Sequence, residues 1–111
     1  MNSGSAVAAL GSLAHEHRLS AFRLLVQAGA RGMPAGELAS ALALPNSSLS
    51  HHLAHLANAG LIAAERRHRS LIYRADFTAM NALVGFLTEN CCGDPALCGL
   101  PPACPAPAAA A

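Results

Sequence analysis

The stretch that decides the fold runs from Pro45 to Leu61 and reads PNSSLSHHLAHLANAGL. Leu49, Leu53 and Leu56 recur at i, i+4 and i+7, the spacing of one face of an α-helix. The other face carries Ser47, Ser48, Ser50, His51 and His55, short or planar hydrogen-bonding groups with almost no charge. A helix that needs only solubility carries Glu, Lys and Arg there instead. Pro45 fixes the approach, Asn46 or Ser47 is the expected N-cap, and Gly60 is the expected residue just past the last turn. Such a stripe suits the major groove of double-stranded DNA, where Ser, Asn and His reach base edges and phosphates. An ordinary amphipathic helix with a weakly charged outer face satisfies the same pattern, so the flanking segments have to decide.

Upstream, Val7, Leu10 and Leu13 begin a helical pattern after a small, polar run at residues 1–5 that reads as frayed. Leu19, Phe22, Leu25 and Val26 continue it on one face, and Gly29 reads as the stop. The spacing predicts two helices, over about 5–12 and about 15–28. Residues 30–33 read as a loop, and Pro34 as a first-turn residue of a short helix packed through Leu38 and Leu42. A short helix, the tight connector 43–46 and a polar-faced helix make a helix-turn-helix.

Downstream, residues 61–66 and 71–75 read as short strands, with Ile62, Ile72 and Tyr73 favouring extended backbone. Between them lie Arg67, His68, Arg69 and Ser70, so the pair makes a two-stranded hairpin with a basic tip: a wing. The tip has no Gly, and its turn type is not legible. Asp76 is expected to cap a last helix that carries Phe77, Met80, Leu83, Val84 and Leu87 at helical spacing to about Asn90. The expected fold is mainly α with a small β-hairpin, a winged helix-turn-helix over residues 1–90. Residues 91–111 hold two Gly and five Pro and form a separate Cys- and Pro-rich tail, expected to be irregular.

A length of 111 residues fits one domain, and 26 Ala with 17 Leu favour helices. So small a domain has a limited core, and a second copy would bury more surface. Net charge is only +1, but all seven cationic side chains are Arg, and Arg66, Arg67, Arg69 and Arg74 fall within nine residues that contain no acid. A local basic patch on a near-neutral chain is a footprint of nucleic-acid contact. No run of 18 apolar residues predicts a membrane span, and the N-terminal region has no Arg before Arg18, unlike a secretory signal. The expectation is a cytoplasmic chain with reduced thiols. Cys91, Cys92, Cys98 and Cys104 then read as metal ligands or redox sensors rather than structural disulfides. The His and Cys groups lie far apart in sequence, so no catalytic nucleophile–base pair is indicated and no enzyme is expected.

Over about residues 6–92 the chain resembles the ArsR/SmtB family of metal- and metalloid-responsive repressors. The segments that carry the resemblance are LAHEHRLSAFRLL (13–25), GELASAL (36–42), PNSSLSHHLAHLANAGLI (45–62) and RRHRSLIYRAD (66–76). The resemblance implies a homodimer joined by the first and last helices, with Leu10, Met80, Leu83, Val84 and Leu87 as candidate interface. It also implies a repressor that leaves its operator when an inducer binds. The DNA contacts would come from Ser47, Ser48, Ser50, His51 and His55, with Arg66, Arg67 and Arg69 of the wing. Two inducer sites common in the family are missing. The short helix MPAGELASAL (33–42) has no Cys-x-Cys pair, and the last helix has Thr78 where a His is expected and no His over 77–90. The remaining cysteines resemble those of a subgroup that binds As(III) or Sb(III) at C-terminal thiolates.

Soft thiolates select soft, thiophilic ions. CCGDPALC (91–98) offers three of them, Cys91, Cys92 and Cys98, with Gly93 permitting a bend and Pro95 stiffening the return. Cys104 lies past Pro101 and Pro102 and is expected to be dispensable. Other readings stay open: a zinc or cadmium site using all four cysteines, a redox switch, or inert thiols. Against zinc stand the Pro-rich spacer and the absence of any CxxC pair. A thiol-based metalloid chaperone is a different class, but it has no use for a wing. His51 and His55, at i and i+4, would suit a metal but also the DNA-facing side. His52 is expected to pack, His15 and His17 to lie on the surface, and Arg18 and Arg23 to be structural or solvated.

Overall fold

The computed structural model describes residues 1–90 and builds them from five helices and three short strands. Helix α1 spans Ser3–Leu13 and starts earlier than the polar composition predicts, because Asn2 Oδ1 accepts the Ser5 N–H at 2.8 Å. The small polar run is therefore a capped first turn and not a frayed end. Helix α2 spans Glu16–Ala28 and ends at Gly29 (φ +69°). The chain then makes a 3-10 turn, Gly29–Arg31, and a two-residue strand β1, Met33–Pro34, where a plain loop was expected.

Pro34 is the N-cap of α3 (Ala35–Leu42) and lies outside its first turn. Helix α4 spans Asn46–Asn58, and its N-cap is Pro45, without a side-chain cap. The expected caps, Asn46 and Ser47, are already helical. Pro45 holds φ −63° and ψ 148°, and its carbonyl accepts the first helical bond from Leu49 N–H at 3.0 Å. That leaves the Asn46 and Ser47 side chains at the helix start free of capping duty.

Helix α4 closes with two nested bonds, Leu61 N–H to Leu56 O at 3.1 Å and Gly60 N–H to Ala57 O at 3.0 Å. Gly60 takes φ +80°, which a side chain would oppose. The same closure ends α3, with Leu44 N–H donating to Ala39 O and Ala43 N–H to Ser40 O. There the left-handed residue is Ala43, at φ +54°, so the turn of the helix-turn-helix carries an L-residue where Gly is usual.

Strands β2 (Ile62–Arg67) and β3 (Ser70–Ala75) pair antiparallel from Ile62↔Ala75 to Arg67↔Ser70, leaving His68 and Arg69 as a two-residue tip. His68, the first residue of the tip, takes φ +55°, a left-handed value carried by a residue with a Cβ. The sheet has three strands rather than two: β1 joins the far side of β3 through Met33↔Tyr73 and Pro34↔Ile72, in the order β1-β3-β2. This approach depends on Gly32 (φ +69°), since a Cβ there would collide with the Tyr73 carbonyl oxygen and lie 2.8 Å from Arg74 Cγ.

Helix α5 spans Phe77–Thr88, capped by Asp76 Oδ1 accepting the Ala79 N–H at 3.0 Å, and stops two residues before Asn90. Asp76 N–H also donates to Leu61 O at 2.8 Å and closes the base of the wing. Leu25, Leu38, Leu49, Leu53, Leu56 and Leu61 are fully buried. Removing each from water contributes roughly 2 kcal/mol. Leu49, Leu53 and Leu56 belong to α4, so the core fixes which side of α4 faces outward.

Candidate nucleic-acid interface

The outward side of α4 follows from that anchoring. Ser47, Ser50, His51, Ala54, His55 and Asn58 are exposed and recur every three or four residues along one stripe. Four of them were expected from sequence. Asn58 was missed, although it lies three residues past His55, within the i+3/i+4 spacing that already links Ser47, Ser50, His51 and His55. Ser48 is half-buried, on the flank of the stripe rather than at its centre.

On the wing, Arg66, Arg67 and Arg69 are exposed, as the hairpin reading required. Arg74 is not part of that patch. Its Nε donates to Ala30 O at 2.7 Å and its guanidinium pairs with Glu65, clamping β3 to the 3-10 turn and to β2. The hydrogen bond from Arg74, and then the charges of Arg74 and Arg67, hold the Glu65 carboxyl below the usual carboxylate range. Arg67 lies 3.7 Å from the same carboxylate, so Arg66 and Arg69 are the wing's cations least engaged with it.

Five histidines form an unexpected chain from α2 to the α4 stripe. His15 caps α2, its Nδ1 accepting the His17 N–H at 3.2 Å. Its ring centroid lies 4.5 Å from that of His52, and His17 lies 5.7 Å from His52. His52 is 6.1 Å from His51, which is 4.8 Å from His55. His15 and His17 are thus half-buried at the α2–α4 junction and not free surface groups. The His52 Nδ1 is buried without a hydrogen-bond partner among the described residues. Burial, then the charges of His15, Arg18, His17 and His51, push the His52 pKa below its ordinary value. Arg18 is structural, its Nε donating to Ser12 O at 2.7 Å. Among the described residues, no three His, Cys, Asp or Glu side chains are placed to hold a metal ion.

The candidate interface residues divide. Leu10, Val84 and Leu87 are exposed apolar groups, and Met80 is half-buried. Leu83 is only 6% exposed and belongs to the protomer's own core, so the stripe on α5 turns inward at that position. Val7 and Leu19 extend the exposed apolar surface beyond the residues expected. A groove of about 440 Å³ between α2 and α5 is lined by Leu19, Phe22, Val26, Met80 and Val84, among others. Cys91, Cys92, Cys98 and Cys104, with the rest of the 91–111 tail, lie outside the described residues.

A family model described as a helix-turn-helix domain matches residues 13–64, from the end of α1 into β2. The solved structure of an ArsR-like transcriptional regulator from Rhodococcus sp. RHA1 superposes with a TM-score of 0.68 at 23% identity, over 78% of each chain. The transcriptional activator HlyU of Vibrio cholerae is 33% identical over 91 residues, 82% of this chain and 82% of its own length. The chain belongs to the ArsR-like family of winged helix-turn-helix transcriptional regulators. The HlyU structure gives a TM-score of 0.66 over 82% of this chain and 96% of its own. A further neighbour, Mb0332 from Mycobacterium bovis, described as a homodimeric winged helix-turn-helix DNA-binding domain and a possible ArsR-family regulator, matches at 24% identity and a TM-score of 0.63, over 78% of this chain and 81% of its own. This ArsR-like chain is a DNA-binding regulator and not an enzyme, and no helix among its described residues is long and apolar enough to cross a membrane.

Proposed function

We propose that the chain is a homodimeric transcriptional repressor that reads operator DNA through α4 and the wing and leaves it when As(III) or Sb(III) binds Cys91, Cys92 and Cys98. The observation that carries the DNA reading is the uncharged polar stripe of α4, held outward by three buried leucines on its opposite side. Ser47, Ser50, His51 and His55 address base edges and phosphates, with Ser48 at the flank. Arg66, Arg67 and Arg69 lie along phosphates or in a minor groove, where Arg is favoured. Exposed Leu10 on α1 and Val84 and Leu87 on α5 supply the apolar surface for a second copy, and one fold neighbour is described as homodimeric. Two copies of α4 then enter successive major grooves about 34 Å apart.

The metalloid reading is supported by the donor set. Three thiolates within residues 91–98 satisfy a trivalent, thiophilic ion, and the tail continues from the residues just after α5. Induction requires the ion to bind the free dimer better than the DNA-bound one, by a coupling of about 1–3 kcal/mol. The test is release from the DNA upstream of the chain's own operon, titrated with arsenite under reducing conditions for the parent and four single Cys→Ser variants. Cys91→Ser, Cys92→Ser and Cys98→Ser are expected to bind DNA normally and to stay bound at arsenite levels that release the parent. Cys104→Ser is expected to respond like the parent. Loss of response in Cys104→Ser, or its retention in Cys98→Ser, sinks the three-thiolate assignment. If Cys104→Ser is as damaging as the others, a four-cysteine zinc or cadmium site takes its place.

A second reading has one observation in its favour: a solved form of the HlyU relative is described as reduced. Redox control through the same cysteines predicts release by peroxide with no need for arsenite, which a peroxide arm of the same titration separates. HlyU is described as an activator, and a reporter fused to the bound promoter reads the sign of regulation here.

A further inference from the structure

We propose that the histidine cluster at the α2–α4 junction is a proton sensor: acidification charges it, unseats α4, and weakens sequence-specific DNA binding while sparing the wing's hold on phosphate. This rests on the reading of α4 as the helix that addresses bases.

The geometry makes neutral imidazoles part of the joint. His15 caps α2 with the lone pair of Nδ1. A proton on that atom removes the acceptor and places a positive charge at a helix N-terminus, where the helix dipole is already positive. His52 stands 4.5 Å away, ring to ring, on the flank of α4 that meets α2. Its Nδ1 is buried with no partner among the described residues, so a proton there becomes a buried donor without an acceptor as well as a charge.

Among the described residues, nothing nearby offsets that charge. From α2 the cluster is faced by His15, His17 and Arg18, and from α4 itself by His51; every charge that acts on His52 is cationic. Helix α1 contributes no ionisable side chain over Ser3–Leu13. Glu16, at the start of α2, and Glu37, on α3, are exposed, and Glu65 on β2 is engaged by Arg74. Because the folded His52 binds a proton less well than the unfolded chain does, the unfolded state is protonated first. The stability tied to this group is complete above the ordinary histidine range and is lost as pH falls below about 6.5.

The outer members of the chain pull the other way. His51 and His55 face DNA, whose phosphates favour a charged imidazole, and alone they would tighten binding in acid. The inner loss governs specific binding because His52 and Ser48 stand one turn apart on the half-buried flank of α4. A displaced flank takes the polar stripe out of register with base edges. The wing arginines stay charged at any relevant pH, so binding to arbitrary sequence survives.

The experiment uses the full chain and two probes: a short duplex that the protein itself selects from a random pool at about pH 7.5, and a scrambled duplex of the same composition. Fluorescence anisotropy is read at about pH 7.5 and about pH 5.5, on either side of the histidine range. Affinity for the selected duplex is expected to fall several-fold, while affinity for the scrambled one holds or rises. His15→Asn keeps a capping oxygen and His52→Gln keeps a polar group at the half-buried site, and neither residue titrates. The double variant is expected to lose the acid-induced fall. Its urea midpoint should be the same at both pH values, whereas the parent's drops. His15→Asn alone, which preserves the cap, is expected to lose part of the fall and guards against a folding defect in the double variant. Affinity of the parent for its selected duplex that is flat or tighter in acid overturns the proposal, as does a variant pair that keeps the parent's fall. If the random pool yields no preferred sequence, the reading of α4 is what falls. The urea comparison then still decides whether the junction senses protons.

Discussion

Ala43 holds a left-handed conformation with a Cβ, in the turn between α3 and α4 where glycine is the usual occupant. The left-handed cost to an L-residue is about 1–2 kcal/mol, part of which glycine returns through its freer unfolded chain. Ala43→Gly is therefore expected to stabilise by about 0.5–1 kcal/mol, read as a higher urea midpoint at unchanged slope. Gly32 and Gly60 separate two reasons for a positive φ. Nothing lies within 4 Å of a Cβ built on Gly60, whereas one on Gly32 meets the Tyr73 carbonyl. Gly60→Ala should cost about 1 kcal/mol and Gly32→Ala roughly 3 kcal/mol or more, because backbone must also move. Equal losses in the two variants would show that β1 can shift away from β3 without penalty.

At the scale of elements, α2, α4 and the wing were legible because their signals are local: leucines at helical spacing, a glycine after the last turn, two β-rich runs around a basic tip. Strand β1 was not, since Met33 and Pro34 become a strand only by meeting Tyr73 and Ile72 some 40 residues away. The cap of α4 was misplaced because a proline in extended backbone can set the first helical turn with no side-chain oxygen. Arg74 looked like part of the basic patch because sequence adjacency does not reveal a cross-strand partner; Glu65 is that partner. The wing's exposed arginines carry a direct expectation. Arg67→Ala with Arg69→Ala should weaken binding to all duplexes alike and flatten the salt dependence by about one unit per lost phosphate contact. An anisotropy titration with unchanged affinity and salt slope would remove the wing from the interface. Losses confined to one sequence would make these arginines readers of bases.

At the scale of the molecule, periodicity identified an apolar stripe on α5 but not which body covers each position. Leu83 turns into the protomer, while Val84 and Leu87 remain outside. The two kinds of position should respond differently to a charge. Leu87→Glu is expected to leave the circular-dichroism spectrum intact and to shift sedimentation from dimer to monomer, with operator affinity falling in step. Leu83→Glu should unfold the chain outright, since it buries a carboxylate without a partner. A Leu87→Glu dimer would move the assembly surface elsewhere. A folded Leu83→Glu chain would show that α5 is not part of the core. The candidate inducer thiolates were legible only as chemistry, because their residues lie outside the described ones.

The placement of β2 at the rim of the sheet reaches beyond DNA. Its inner side pairs with β3, and its outer side pairs with no strand among the described residues. From Ala63 to Arg67 every residue of it is exposed. A bare rim of this kind invites the same strand of another copy, and charged side chains are what keep it solitary. Pro34, which has no N–H to offer, lies on the strand at the opposite rim. Arg66 and Arg67 therefore hold a second duty as guards of solubility. Trimming both to alanine leaves the run Ile-Ala-Ala-Glu-Ala-Ala on an open rim, and light scattering on concentrating or warming is expected to rise. Exchanging both for glutamate abolishes the attraction to phosphate but keeps the rim charged. That variant should stay clear at concentrations where the alanine variant clouds.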